Sequence, residues 1–462
     1  MLQRLMRAVV LVPLVTWGSG CSHSSTSDSS SGSTGTSAAQ GAGSTSSSTG
    51  TSSSASATSS SSSSSGGSSG TASSGTSGSA SSASSSGGTS SGSTGASSGS
   101  GSGSTSGVSW SCPLSLPSNT AAVATGSQPN GVALGDFNRD GRLDLATANE
   151  GANSVSVLLG DGDGGLLPDV EFATGANPLD LVAADFNLDG RLDLATANTG
   201  DDTVGVLMGQ PDGGFSSEAS YSTTPFPVAI TVGDFNGDGH FDLATANSSV
   251  AGSVSVLLGW GDGGFAHFQG LFAGGGPQPI AVGDFNRDGL LDLAVAAVTD
   301  GKVGIFLNQG DGGFAAKIDV PVGSSPGALA AADLDGDGWL DLAVGSTGRG
   351  SLEVLRGEPD GGFSAPVEHV LGSGPSAIAV ADLNGDGALD LAATIVGSNT
   401  VAVLLGFGDG GFDAPVSFAV RAGPVAVASG DFNGDGRLDL AVVNRDADSV
   451  QVLINGSPCV PH

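Results

Sequence analysis

The apolar residues of this chain fall in short runs that glycine, proline, asparagine and aspartate interrupt. The pattern is clearest between residues 178 and 208, where three such runs cover 178–184, 192–197 and 203–208. Short apolar runs with these boundaries are typical of β-strands. A polar loop separates the first two runs, and an Asp-Gly-Gly-Phe turn (212–215) follows the third. Because Asp-Gly favours tight turns, the unit predicts four strands, A to D, with C and D joined as a hairpin.

This unit occurs seven times, and each copy is marked by an aspartate-rich loop between strands A and B. The leading aspartates are spaced by 49, 49, 50, 49, 49 and 49 residues. A fixed period in this range indicates a solenoid, a propeller or an array of modules. Four strands in each repeat of this length are typical of one propeller blade. We therefore predict an all-β fold, a seven-bladed β-propeller of four-stranded antiparallel blades, within residues 110–462.

The last repeat lacks its fourth strand, because the chain ends shortly after strand C at 449–455. A matching segment stands at the other end of the domain. Residues 119–126 precede the first loop in the same way that residues 169–175 precede the second. We predict that residues 119–126 complete the seventh blade and close the ring.

The cysteines favour the same closure. When Cys112 and Cys459 are shifted by one repeat, they fall at positions 161 and 164, within one C–D turn. We predict a disulfide between them, which an exported location would permit. In the chain-entropy model, a cross-link over so long a loop stabilises by up to ~5 kcal/mol.

The repeated loops place oxygen-bearing side chains at positions 1, 3, 5 and 9, with glycine at position 6 and a backbone carbonyl at position 7. Hard oxygen ligands at alternating positions suit Ca²⁺, which takes about six to eight oxygens, better than Mg²⁺ or Zn²⁺. We predict about seven structural Ca²⁺ ions. The predicted ligands at positions 1, 3, 5, 7 and 9 are Asp136, Asn138, Asp140, Arg142 and Asp144; Asp185, Asn187, Asp189, Arg191 and Asp193; Asp234, Asn236, Asp238, His240 and Asp242; Asp284, Asn286, Asp288, Leu290 and Asp292; Asp333, Asp335, Asp337, Trp339 and Asp341; Asp382, Asn384, Asp386, Ala388 and Asp390; Asp431, Asn433, Asp435, Arg437 and Asp439.

Two other interpretations of the loops fit the sequence less well. An EF-hand would need glutamate at position 12, where this chain has Thr, Val or Ala. Turn chemistry alone would explain one such loop, since Asp, Asn and Gly favour turns. It explains seven poorly, because the clustered carboxylates would repel one another without a cation.

The charge balance changes with this interpretation. The net charge is −32, and 22 of the 45 acidic residues lie in the loops. About half of the acidity therefore belongs to metal chemistry. With 13 Lys and Arg residues and no basic run, nucleic-acid binding is not expected.

The N-terminal part is not globular. Residues 1–21 combine Arg4 and Arg7 with a short apolar run and small residues before Cys21, as in a bacterial export signal. This segment resembles a lipoprotein signal, which implies lipidation at Cys21, although Gly18 stands where an aliphatic residue is usual. Ordinary secretion with cleavage near Gly20 is the alternative. Residues 22–109 are almost wholly Ser, Gly, Thr and Ala, and predict a disordered tether with a span of about 50 Å.

The motif Asp-Phe-Asn-x-Asp-Gly-x-x-Asp-Leu-Ala in a β-repeat resembles the FG-GAP/VCBS repeat family, over about residues 120–456. That family includes the calcium-bearing propeller of integrin α subunits and many bacterial surface proteins. The resemblance implies a seven-bladed propeller that binds partners on the face opposite the calcium loops. That face carries the B–C loops, such as 149–153 and 199–202.

These observations predict a cell-surface binding or adhesion module on the outer membrane or cell surface, tethered by its lipid alone, and monomeric. Its ligand would be a protein or a glycan. A lectin-like sugar binder is a narrower alternative, although only one Tyr and four Trp are present. A secreted hydrolase or lyase is a weaker one. We expect no enzyme, because the five histidines share no motif and no nucleophile elbow or phosphate loop occurs.

Overall fold

The computed structural model describes residues 110–111, 114–117, 121–249, 251–359, 361–456 and 460–461. The predicted signal (1–21), tether (22–109), lipidation site (Cys21) and disulfide (Cys112 and Cys459) lie outside the described residues.

Seven four-stranded antiparallel sheets form the domain, each with its strands in the order A-B-C-D. Strand A of each blade lies beside strand A of the next. Strand A of blade seven lies beside strand A of blade one, so the sheets form a closed ring. The predicted seven-bladed all-β propeller is confirmed.

The strands repeat with nearly constant bounds. Strands A are Pro129–Gly135, Pro178–Ala184, Pro227–Gly233, Pro277–Gly283, Pro326–Ala332, Pro375–Ala381 and Pro424–Gly430. Strands B are Asp144–Asn149, Asp193–Asn198, Asp242–Asn247, Asp292–Ala297, Asp341–Ser346, Asp390–Ile395 and Asp439–Asn444. Strands C are Ser154–Leu158, Thr203–Leu207, Ser253–Gly259, Lys302–Phe306, Ser351–Leu355, Thr400–Leu404 and Ser449–Leu453. Strands D of blades one to six are Val170–Ala173, Ala219–Ser222, Phe265–Phe272, Ile318–Pro321, Val367–Val370 and Val416–Ala419.

Blade seven takes its fourth strand from the N-terminal side of the domain. Val123–Ala124 pairs with strand C of this blade, with Val123 opposite Val450 and Ala124 opposite Ser449. The predicted closure by residues 119–126 is confirmed, although the paired part is only two residues long. A further antiparallel pair joins Trp110–Ser111 to Val460–Pro461, so the backbone segments next to both cysteines lie side by side.

Burial falls from the inner strands to the rim. All residues of the seven B strands are buried, whereas strand D of blade one exposes 57% of Val170. The B and C strands are covered on both faces because a neighbouring sheet packs on each side. The apolar core therefore lies between blades; one cluster joins Phe137 and Val155 of blade one to Leu194 of blade two. Burying a side chain of this size contributes about 1.5–3 kcal/mol.

Each strand A begins with proline and shows an irregular register at that end, as between Pro129 and Val132. Proline is tolerated there because the first residue of a strand need not donate to the ladder. Within the described ranges the helical content is the 3₁₀ turn Arg445–Ala447, and none of it is long and apolar enough to cross a bilayer.

Candidate metal centres

The loop between strands A and B curls around its first aspartate. In blade one, the Oδ1 atom of Asp136 accepts the Asp140 N–H at 3.0 Å, and its Oδ2 atom accepts the Gly141 N–H at 2.9 Å. The side chain of Asn138 also accepts the Asp140 N–H, at 2.9 Å. Positions 1 and 3 therefore direct their oxygens to the backbone of the same turn.

The glycine at position 6 has a left-handed backbone in every loop, with φ 83° at Gly141. A residue with a Cβ is strained in that conformation. The N–H of position 7 then donates to the position 5 carboxylate, at 3.0 Å from Arg142 to Asp140 Oδ1. The same contact recurs in the other six loops.

The aspartate at position 9 is the first residue of strand B and is fully buried in blade one. The two oxygens of Asp144 accept the N–H groups of Phe137 at 2.9 Å and Gly160 at 2.8 Å. This side chain therefore ties the start of the loop to the end of strand C. Sequence reasoning identified it as a ligand and missed this second role. The available signal was the Gly or Asn at a near-constant distance after it: Gly160, Gly209, Gly259, Asn308, Gly357, Gly406 and Asn455.

Burial raises the pKa of Asp193, the equivalent residue of blade two, to about 6. The N–H groups of Gly209 and Phe186 lower this pKa, and the nearby carboxylates of Asp185 and Asp189 raise it again. Burial raises the pKa to about 6 at the same position in four more blades: Asp242, Asp292, Asp341 and Asp390. A divalent cation among these groups would stabilise their ionised form.

Blade five brings three carboxylates together. Oxygens of Asp333, Asp335 and Asp341 all lie within 4.8 Å of one another, and Asp341 is buried. Among the described residues, this is the one such group of acidic, His or Cys side chains. The other six loops have asparagine at position 3, where the amide oxygen would be the ligand atom for a cation. A converging set of hard oxygens with negative charge can hold a cation such as Ca²⁺.

The aspartate-rich loops of blades one to four pack against the C–D turn of the next blade. The Phe137 ring, at position 2, contacts the Phe215 ring of blade two edge to face, with centroids 5.7 Å apart. Equivalent ring pairs are Phe186 with Phe265, Phe235 with Phe314, and Phe285 with Phe363. The phenylalanine after the C–D turn therefore packs between neighbouring sheets. The loops therefore lie at the junctions between blades.

A family model described as FG-GAP-like repeat matches residues 136–196, 185–245, 234–295, 284–344, 333–393 and 382–442. Each match runs from one aspartate-rich loop into strand B of the following blade, and together they span most of the propeller. The chain belongs to the FG-GAP repeat family. No curated protein sequence matches it at a significant level.

Solved structures share the propeller fold at low sequence identity. BBS1N in complex with ARL6DN, soaked with mercury, has a TM-score of 0.53 at 15% identity, over 74% of this chain and 99% of that one. The lead-soaked crystal of the same complex has a TM-score of 0.50 at 14% identity, over 75% of this chain and 98% of that one. An Agrocybe aegerita lectin that recognises non-reducing terminal N-acetylglucosamine has a TM-score of 0.49 at 18% identity, over 71% of this chain and 86% of that one. At these identities the likeness shows the fold alone.

The opposite face of this FG-GAP propeller is formed by the B–C and D–A loops. In blades one, two, six and seven, the last residue of the B–C loop has positive φ, as at Asp202 with 57°, and its side chain accepts an N–H from the D–A segment; blades three to five have glycine there. That bond is 2.8 Å from the Phe226 N–H to Asp202 Oδ1, and Asn153 accepts the Asn177 N–H at the same distance. The ends of these loops are therefore fixed, while their tips differ among the FG-GAP repeats.

The described histidines of the FG-GAP propeller do not come together in one site. His240 is at position 7 of a metal loop, and His267 and His369 lie on the D strands of blades three and five. Burial lowers the pKa of His369, which contacts the Phe412 ring. A cavity of about 740 Å³ lies against the A strands of blades seven, one and two. Apolar side chains such as Leu134, Leu181 and Leu192 line most of it.

Proposed function

We propose that this FG-GAP propeller is an exported, membrane-tethered, calcium-binding protein that acts as a cell-surface binding or adhesion module. The convergence of the Asp333, Asp335 and Asp341 carboxylates supports the calcium part most directly. The same ligand spacing in all seven loops extends the proposal to about seven ions, with the residues at positions 1, 3, 5, 7 and 9 as ligands.

Calcium has a structural role in this proposal. Each loop joins strands A and B and also contacts the next blade, as Phe137 does through Phe215. Without an ion, the carboxylates of positions 1, 5 and 9 repel one another, and position 9 is buried. Because the ion binds the folded loop, its binding free energy adds to the stability of the propeller.

The partner would bind to the face opposite the metal loops. Its loop tips are exposed and differ in charge from blade to blade, with Asp300 in blade four and Arg349 in blade five. These differences suit recognition of a single protein or glycan partner better than seven equivalent contacts. A propeller of similar fold, BBS1N, was crystallised in complex with ARL6DN.

A lectin-like function is the second candidate. Trp260 is 61% exposed and Phe407 is 59% exposed, and each follows the glycine whose N–H binds the position 9 aspartate of its blade. Exposed aromatic rings can stack on the apolar faces of sugars. Both side chains lie on the metal-loop side, so sugar binding there would leave the opposite face free.

The remaining parts of the proposal come from the sequence. Lipidation at Cys21 would hold the chain at the outer membrane or cell surface, and residues 22–109 would act as the tether. No enzymatic activity is proposed, since the histidines lie apart in the described residues.

The first experiment measures thermal unfolding of the full chain with calcium and with EGTA, and counts bound ions by native mass spectrometry. About seven ions and a large fall in melting temperature on chelation are expected. The absence of bound ions at millimolar calcium, with an unchanged melt, would contradict the calcium part.

The second experiment tests the binding face. Adhesion of cells displaying the chain to host glycans and matrix proteins is compared with that of Asp446→Lys and Thr299→Lys variants, which alter exposed tips of the proposed face. Asp413→Lys changes an exposed rim residue and is the matched control. Loss of adhesion in the face variants alone supports the assignment. Loss on Trp260→Ala or Phe407→Ala instead would favour the lectin.

A further inference from the structure

The residue at position 7 divides the metal loops into two groups. It is arginine in blades seven, one and two, as Arg437, Arg142 and Arg191. The other four blades have His240, Leu290, Trp339 and Ala388. Because blade seven lies beside blade one in the ring, the three arginine loops form one continuous sector.

In each of these three loops, the guanidinium contacts the position 5 carboxylate. Arg191 Nη2 lies 2.5 Å from Asp189 Oδ2 in blade two. Arg437 Nε lies 3.5 Å from Asp435 Oδ2 in blade seven. In blade one, the distance from Arg142 Nε to Asp140 Oδ2 is 3.7 Å. The arginine therefore occupies an oxygen that a calcium ion would use.

The asparagine at position 3 responds to the arginine. In blades three and four, which lack it, the amides of Asn236 and Asn286 donate to the position 5 Oδ2 atom at 2.9 Å. With arginine present, that bond is 3.1 Å in blade one and 3.3 Å in blade seven. In blade two, where the ion pair is shortest, the Asn187 amide faces Met208 Sδ at 3.7 Å. The arginine thus perturbs two ligand positions of its loop.

The loops of blades three and six are the reference. The ion pairs found among the described residues include none on these two loops. The loops of blades four and five are intermediate. Arg287 leaves its own loop and stacks on Trp339 at 4.4 Å, while Arg356 Nη1 lies 3.6 Å from Asp335 Oδ2.

We propose that calcium leaves the loops of blades seven, one and two before those of blades three and six. The propeller then loosens first at its closing seam, the junction between blade seven and blade one. This inference rests on the proposed calcium function. A fixed positive charge repels the divalent ion and competes for its carboxylate ligand. The ion pairs are partly exposed, so the effect is modest: one arginine weakens its loop by roughly two- to fivefold.

The order of calcium loss affects ring closure, because the arginine loops flank the closing seam. Blade seven is completed by the two-residue strand Val123–Ala124, the shortest fourth strand of the ring. Across the seam, Gly164 of blade one packs so closely on Ile454 and Asn433 of blade seven that a Cβ at this glycine would clash with Ile454. Asn433 is itself a position 3 residue of the seventh loop. Loss of calcium from that loop therefore acts on the contact that closes the ring.

The test is hydrogen–deuterium exchange of the full chain at stepped free calcium, read by mass spectrometry peptide by peptide. Peptides from blades seven, one and two should lose protection at higher free calcium than peptides from blades three and six. Arg191→Leu installs the residue type of blade four and should shift the blade two transition to lower calcium by roughly two- to fivefold. Leu290→Arg should shift the blade four transition in the opposite direction.

Arg421→Leu is the matched control, since it removes an exposed positive charge outside the metal loops. One common transition for all blades, with Arg191→Leu no different from Arg421→Leu, would overturn the order while leaving calcium binding intact. A native mass spectrum without calcium would overturn the proposed function together with this inference.

Discussion

The rings of Phe137 and Phe215 meet edge to face, with their centroids 5.7 Å apart and their planes at 71°. Phe137 follows the first aspartate of the loop in blade one, and Phe215 follows the C–D turn of blade two. A phenylalanine within each aspartate-rich loop of blades one to four is therefore part of the junction to the next blade. This relationship links any ion in the loop to the stability of the ring.

Phe215→Ala should destabilise the calcium-loaded propeller by about 3–5 kcal/mol, because a large ring leaves a cavity at the junction. Phe215 is 9% exposed, whereas Phe268 is 48% exposed on the outer strand of blade three. Phe268→Ala is the matched control and should change the free energy of unfolding little. Urea unfolding followed by tryptophan fluorescence measures both. Equal effects of the two substitutions would contradict the junction role.

Asp292→Asn should destabilise the calcium-saturated protein. The two oxygens of Asp292 accept the N–H groups of Phe285 at 3.0 Å and Asn308 at 2.8 Å. An amide retains one acceptor oxygen, so one buried N–H loses its partner, at a cost of about 1–3 kcal/mol. Asp288→Asn, at the exposed position 5, should weaken calcium binding alone. Calorimetry at saturating calcium separates the outcomes, because in EGTA the amide also removes an unfavourable buried charge. A melt of Asp292→Asn no lower than that of Asp288→Asn would exclude the second role of position 9.

The stability of the calcium-free protein should rise as the pH falls from 7 towards 5. Burial raises the pKa of Asp193, Asp242 and Asp390 to about 6, above the ordinary value of 3.8. Between these values the folded state binds more protons than the unfolded chain, so protonation stabilises the fold. With calcium bound, the same protons displace the ion, and stability should fall over this range. Urea midpoints at pH 7 and pH 5, in EGTA and in calcium, measure the two slopes; parallel slopes would count against calcium at these carboxylates.

The Cys112–Cys459 disulfide stays a prediction. The backbone pairing of Trp110–Ser111 with Val460–Pro461 brings the neighbouring segments together and favours it. Cys112→Ser should lower the free energy of unfolding by up to ~5 kcal/mol in the chain-entropy model. Dithiothreitol should reproduce the loss in the parent protein and have no effect on the variant. Peptide mapping without reduction identifies the bond, and two free thiols in the exported protein would refute it.

Much of the fold follows from the sequence because a propeller is built from local repeats. Strand hairpins such as residues 203–222 depend on contacts within one unit, so the spacing of turns and apolar runs predicts them. The closure of blade seven was predictable for the same reason, since residues 119–126 match the segment that precedes the second loop. Within the described part of that segment, 121–126, the pairing with strand C is shorter than the pattern predicts and covers Val123–Ala124.

The site was predicted less completely. The ligand spacing marks Asp136, Asn138 and Asp140, whose contacts remain within a few residues of one another. The hydrogen bond from Gly160 to Asp144 spans 16 residues and depends on how strand C returns past the loop. The sequence pattern also does not predict which group each arginine side chain contacts. Arg191 binds a carboxylate of its own loop, whereas Arg287 stacks on Trp339 in the next blade.

The sequence by itself therefore determined the number of blades, the loop that recurs in each and the terminal segment that closes the ring, because each follows from a sequence repeat of about 49 residues. Only the tertiary structure decided which side chains meet between blades. Phe137 and Phe215 lie in different repeats, and the carboxylates of blade five converge through the curl of their loop. Such contacts depend on the angle and distance between neighbouring sheets, which a repeat in sequence does not encode.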